Sequence, residues 1–135
     1  MGRRGQRQSE RRRGERVDRH DGWFMFFGEC WRILKPGGRV HVVAPWGMSV
    51  GGLTDPTHTR AIMLGSFEYL KRPEATATFD YEVPCNFELE PPLLKLTEEW
   101  LPKLADIEPA DLTRIANTYF NVASELRIGL RAIKD

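Results

Sequence analysis

Apolar positions along the chain change period several times, and each change marks an element. Phe27, Cys30, Trp31 and Leu34 fall at i, i+3, i+4 and i+7, with Trp23 and Phe24 one turn earlier. That is the single apolar stripe of an amphipathic helix. Asp21 is a suitable N-cap. The helix must stop near Lys35, because the residue before Pro36 is driven out of the α region, and Gly37 and Gly38 permit the positive-φ turn that reverses the chain. Arg39–Pro45 follows as Arg-Val-His-Val-Val-Ala-Pro. Its valines and its lack of clean alternation predict a strand buried on both faces, as in a parallel sheet. Helix, glycine turn and strand together form half of a βαβ unit.

Residues 46–63 read as a long loop carrying Trp46, Gly47, Gly51, Gly52, Asp55 and Pro56. A loop of that length is unusual unless it covers a site. A short helix is predicted over Leu64–Lys71, with Phe67 and Leu70 facing inward. Phe79–Leu89 looks extended, with Phe79, Tyr81 and Val83 on one face, and Pro84 makes it a broken or edge strand. Leu93–Leu104 fits a helix through Leu93, Leu94, Leu96, Trp100, Leu101 and Leu104, shortened or bent by Pro102. Pro109–Tyr119 fits another, with its proline in the first turn. At the end, Phe120, Val122, Leu126, Ile128, Leu130 and Ala132 alternate with Asn121, Glu125, Arg127 and Arg131. One apolar and one polar face predict an antiparallel strand near a sheet edge.

Charge separates residues 1–20 from the rest. They hold eight arginines against three acids in a chain whose net charge is +1, and beyond Met1 little but Val17 to bury. A disordered Arg-rich tail is expected there, followed by one domain over residues 21–135. Clustered arginines neutralise phosphates, so weak nucleic-acid binding by this tail is one reading; a solvated leader without a role, or a mis-assigned start, is the other. In the chain of 135 residues, 41% are apolar and 29% charged, an ordinary globular balance. No apolar run approaches the ~20 residues of a membrane span, and no export signal is read. Cys30 and Cys85 form no CxxC pair and no metal spacing. A reducing, cytoplasmic setting without membrane contact and without a metal is expected.

The stretch Glu29-Cys-Trp-Arg-Ile-Leu-Lys-Pro-Gly-Gly-Arg-Val-His-Val-Val-Ala-Pro45 resembles the second half of class I S-adenosylmethionine (SAM)-dependent methyltransferases, of the type 11-like kind. There a helix ending in Leu-Lys-Pro-Gly-Gly feeds the fifth sheet strand. Asp55-Pro-Thr-His-Thr-Arg60, followed by Ser66-Phe-Glu-Tyr-Leu70, resembles a branch whose loop after that strand carries Asp-Pro-Thr-His. The resemblance covers about Trp23–Lys134. It implies an α/β chain: a partial Rossmann-like methyltransferase fold with a mixed three-stranded sheet, strands five to seven, and flanking helices. It implies methyl transfer from SAM to an unknown acceptor as the parent activity. The family holds SAM by a Gly-rich turn and an acidic strand end, the logic of the Rossmann fingerprint; here no GxGxG occurs. A complete domain needs roughly 180 residues or more. The expectation is therefore a truncated domain that does not itself bind SAM or catalyse. The edge of Arg39–Ala44 that the full fold would pair is left open, which invites self-association. The rival reading is a non-catalytic binding module with a nucleic-acid-binding tail.

Asp55, His58 and Arg60 are the compact polar group of the chain. His58 beside Asp55 can act as a general base toward a hydroxyl or amine, and Arg60 can hold an anionic substrate group bidentately. The structural alternative is that Asp55-Pro56 starts a turn, with His58 and Arg60 tying the loop down. Trp46, just past the strand, lies where open α/β sheets hold ligands; it stacks on a substrate or anchors the loop. His41 reads as a sheet histidine, and Glu98 and Glu99 as a solvated helix face.

Overall fold

A computed structural model describes residues 22–72 and 82–135. The Arg-rich segment 1–20, the Asp21 cap and the strand positions Phe79 and Tyr81 lie outside the described residues. In chain order the elements are α1 (Gly22–Ile33), β1 (Arg39–Pro45), α2 (Val50–Thr54), a 3-10 helix (Leu64–Leu70), β2 (Phe87–Leu89), β3 (Leu93–Leu96), α3 (Leu101–Leu104), α4 (Pro109–Thr118) and β4 (Ala123–Ala132). Helices accompany a four-stranded open sheet of order β1-β4-β2, with β3 also on β4.

The sheet departs from the expected mixed, three-stranded one in three respects. Every ladder is antiparallel to β4, which is central rather than near an edge. Phe87 pairs with Ala132 and Leu89 with Leu130; Leu93 pairs with Arg127 and Leu94 with Leu126. On the opposite side, Trp46 N–H donates to Ser124 O and Ala132 N–H to Gly38 O. Alternation in β4 correctly marks its two faces, but alternation carries no information about what pairs with its edges. Second, Leu93–Leu96 is strand β3, not the start of a helix. Its leucines satisfy either period, Pro91 and Pro92 hold the approach extended, and β4 supplies the ladder that decides the matter. Third, β1 is not buried on both faces: Ala44 is buried, whereas Arg39, His41, Val43 and Pro45 are exposed. Among the described residues no second strand lies beyond it.

The described residues fall into two compact units. The described residues of the first are 22–40, 67–72, 82–89 and 130–135. Its core is aromatic. Phe27, the buried residue of α1, meets Trp23, Phe67 and Phe87 at ring-centroid distances of 4.8, 6.0 and 6.5 Å. Burying such a ring is worth about 1.5–3 kcal/mol. The C-terminal end of α1 is tied down by Lys134, whose Nζ donates to Leu34 O at 2.6 Å and lies 4.7 Å from the Trp31 ring centroid. A cation there satisfies the carbonyls that a helix end leaves open. Trp31 Nε1 donates to Ile133 O at 3.2 Å. Gly37 has φ 77°, as the turn required. Cys85 is buried, and its Sγ donates to Leu70 O.

The second unit comprises His41–Ser66 and Glu90–Gly129. Trp46, Ala116, Val122, Ala123, Leu126 and Ile128 are buried in it. Asn121 holds its loops together. It has φ 61°, a conformation asparagine tolerates better than most residues. Its Oδ1 accepts from Val50 N–H at 3.0 Å, its N–H donates to Met48 O at 2.7 Å, and its carbonyl accepts from Thr97 Oγ1 at 2.8 Å.

Candidate functional site

The expected long loop of residues 46–63 contains a structured capping device. Ser49 adopts extended backbone before α2 and its Oγ accepts from Gly52 N–H at 2.9 Å, the N-cap arrangement. The same hydroxyl donates to Trp46 O at 2.6 Å. Ser49 is 1% exposed, so both bonds are sheltered from water. Gly52 is a steric necessity, because a Cβ there would stand 2.2 Å from Trp46 O. The segment is thereby pressed onto the C-terminal end of β1, and Gly47 N–H reaches Ile62 O at 2.7 Å to close it.

Asp55-Pro56-Thr57-His58 follows as a tight turn. Asp55 Oδ1 accepts from Thr57 N–H at 2.9 Å and from Thr57 Oγ1 at 2.7 Å, and His58 N–H donates to Asp55 O at 3.0 Å. These bonds from Thr57 hold the pKa of the Asp55 carboxyl below its ordinary value, with the neighbouring His58 contributing less. His58 Nδ1 lies 3.0 Å from Gly51 O. A carbonyl only accepts, so the imidazole must present N–H there. Its Nε2 then faces Asp55 Oδ2 at 3.6 Å, beyond hydrogen-bond range. The pair differs from a relay in which the carboxylate orients one nitrogen and the other does chemistry: a backbone carbonyl orients the ring, and the carboxylate flanks the remaining nitrogen.

His58 and Arg60 line one depression with Pro45, Gly47, Gly52, Thr59 and Ile62, of about 160 Å³. Drug-sized ligands occupy roughly 300–1,000 Å³, so it suits a small group or the end of a larger molecule, not a whole nucleoside cofactor. The fold thus brings Asp55, His58 and Arg60 to one loop at the end of β1. Trp46 is elsewhere in its environment. The ring is fully buried, and Nε1 has no hydrogen-bond partner among the described residues. Its burial fits the anchoring alternative and offers no exposed face for stacking. His41 is exposed on β1.

Sequence reasoning missed Ser49, Thr59 and Ile62. For Ser49 the signal was generic: serine is a favoured N-cap residue, with no Glu or Gln three positions on to complete a capping box. Nothing in the sequence marked Thr59 or Ile62 as walls. Among the described residues no cluster of three His, Cys, Asp or Glu side chains can hold a metal ion, and no helix is long and apolar enough to cross a membrane. Comparison with family models, with curated proteins and with solved structures found no match.

Proposed function

We propose that residues 22–135 are the acceptor-side part of a SAM-dependent methyltransferase domain, with β1, β2 and β4 as its strands five, six and seven. The observation that carries this reading is the course of residues 34–60. Leu34-Lys35-Pro36-Gly37-Gly38 turns a helix into a valine-rich strand at the sheet margin, and the loop beyond that strand carries His58 and Arg60 on the wall of a depression, with Asp55 beside His58. Ligands of open α/β sheets sit beyond the C-terminal ends of strands. Arg60 and His58 are the contacts for the methyl acceptor. Much of methyl transfer is accomplished by holding nucleophile and sulfonium in line, so the reading does not require Asp55 and His58 to exchange a proton. SAM is the methyl donor of the parent family. The sequence has no GxGxG turn for it, and the 160 Å³ depression does not fit it. No step is assigned to SAM in this chain, and a cytoplasmic setting goes with the reading.

Two measurements test it. Calorimetric titration of the chain with SAM is expected to give no heat of binding at micromolar concentration; saturable binding there would contradict the assignment of these residues to the acceptor side. The DNA upstream of Met1 is expected to encode, in some frame, a strand, a Gly-rich turn, a helix and an acidic strand end. Its absence would favour the binding-module reading. That second reading rests on the eight arginines of residues 1–20. It requires nucleic-acid affinity that falls steeply with salt and disappears when residues 1–20 are deleted.

A further inference from the structure

In an antiparallel ladder, residues alternate between those whose N–H and C=O face the neighbouring strand and those whose groups face away. Trp46 N–H donates to Ser124 O, which fixes the phase of β1. Ala44 and Val42 share the phase of Trp46, so their backbone groups address Leu126 and Ile128 on β4. His41 and Val43 have the opposite phase and direct N–H and C=O to the outer edge; Pro45 directs only C=O. Among the described residues no strand lies along that edge.

Natural edge strands are defended by inward charges, lysines, prolines, bulges or short length. β1 carries such devices only at its ends, a charge at Arg39 and a proline at Pro45; the run between them, Val-His-Val-Val-Ala, holds none, and Val43 is 57% exposed. We infer that the outer edge of β1 pairs antiparallel with β1 of a second copy, giving a two-fold symmetric dimer with a sheet continuous through both chains. The strand is complementary to itself. When His41 of one chain stands opposite Val43 of the other, both exchange N–H···O bonds in both directions, and Val42 faces Val42 across the axis. Arg39 then stands opposite Pro45 rather than opposite another Arg39, so no like charges meet. Pro45, lacking N–H, ends the ladder at each side. A C2 contact of this kind closes on itself and leaves no further β1 edge for a third chain. The inference uses none of the acceptor-site residues, but it requires this edge to be unpaired, as it is among the described residues; the preceding strand of a full methyltransferase domain would occupy it.

Sedimentation equilibrium of the full chain across 5–500 μM is expected to show monomer passing to dimer without higher species. Residue-resolved amide exchange over the same range should show His41 and Val43 slowing with concentration, while Val42 and Ala44 stay slow throughout. Val43→Pro removes an outward N–H that β4 does not use, and is expected to abolish the dimer with the far-ultraviolet circular dichroism retained. Should the proline disturb the strand, Val43→Lys places a charge on the same edge and must also yield monomer. A chain that remains monomeric to 500 μM overturns the inference. So does a dimer in which His41 and Val43 exchange rapidly, or protection of these two amides that does not change with concentration.

Discussion

Individual side chains and thiols set the firmest expectations. Ser49 satisfies one buried donor and one buried acceptor with a single hydroxyl. Ser49→Ala removes the cap and orphans Gly52 N–H and Trp46 O, which costs about 1–3 kcal/mol; urea unfolding checks this. Gly52→Ala drives a methyl group to 2.2 Å from Trp46 O and should cost more than Ser49→Ala in the same assay. The Cys85 thiol, ordinarily titrating near 9, is pushed up to about 12 by burial, with Cys30 adding to it. A group whose pKa is raised on folding stabilises the fold fully below its unfolded pKa, and that stability is lost as pH rises toward the folded value. Stability should therefore be level to about pH 8.5 and then fall by up to roughly 1.4 kcal/mol per pH unit from this group. Cys85→Ala, although less stable at neutral pH, should show a flatter alkaline limb; equal slopes would contradict the assignment. Asp55 has the opposite sign. Its lowered pKa stabilises the turn above the ordinary carboxylate range, and that contribution is lost as pH falls below about 4. The Thr57 amide, which donates to Asp55 Oδ1, should shift its resonance in acid as that carboxylate takes up a proton.

Among the elements, the helix–turn–strand of residues 22–45 was legible because each of its parts has a local cause: a 3.6-residue apolar stripe, a proline stop, a glycine pair and a valine run. Gly37 tests that local logic. Its φ is 77° and nothing lies within 4 Å of the Cβ that alanine would add, so Gly37→Ala measures backbone strain alone and should cost about 1–2 kcal/mol. Gly37→Asn should cost less, since asparagine tolerates that region. Thermal unfolding of both variants checks the order. Phe27→Ala, by contrast, opens the aromatic cluster and should cost about 3–5 kcal/mol. Where local causes conflict, sequence reading failed. Leu93–Leu96 fits two periods, and the edge of β4 decided for the strand. Helix α2 was invisible because five residues, two of them glycine, carry little periodicity; its cap at Ser49 was only a generic sign.

At the scale of the whole molecule, the sequence announced an α/β chain but not the strand order, which depends on pairings between residues far apart. The central position of β4 is the clearest case. Its faces follow from alternation, whereas its neighbours β1, β2 and β3 come from three distant stretches of chain. The candidate site was legible as a cluster, because Asp55, His58 and Arg60 lie within six residues. Its walls at Pro45, Gly52 and Ile62 were not, because they depend on how α2 folds back over the end of β1. Both the site and the dimer depend on one feature: β1 is hydrogen-bonded to β4 on one side and open on the other. Amide exchange at 5 μM, where the chain is expected to be monomeric, reads that feature residue by residue. Slow exchange at Val42 and Ala44 with rapid exchange at His41 and Val43 is the expected pattern. Uniform protection of all four amides, or rapid exchange of all four, would contradict it.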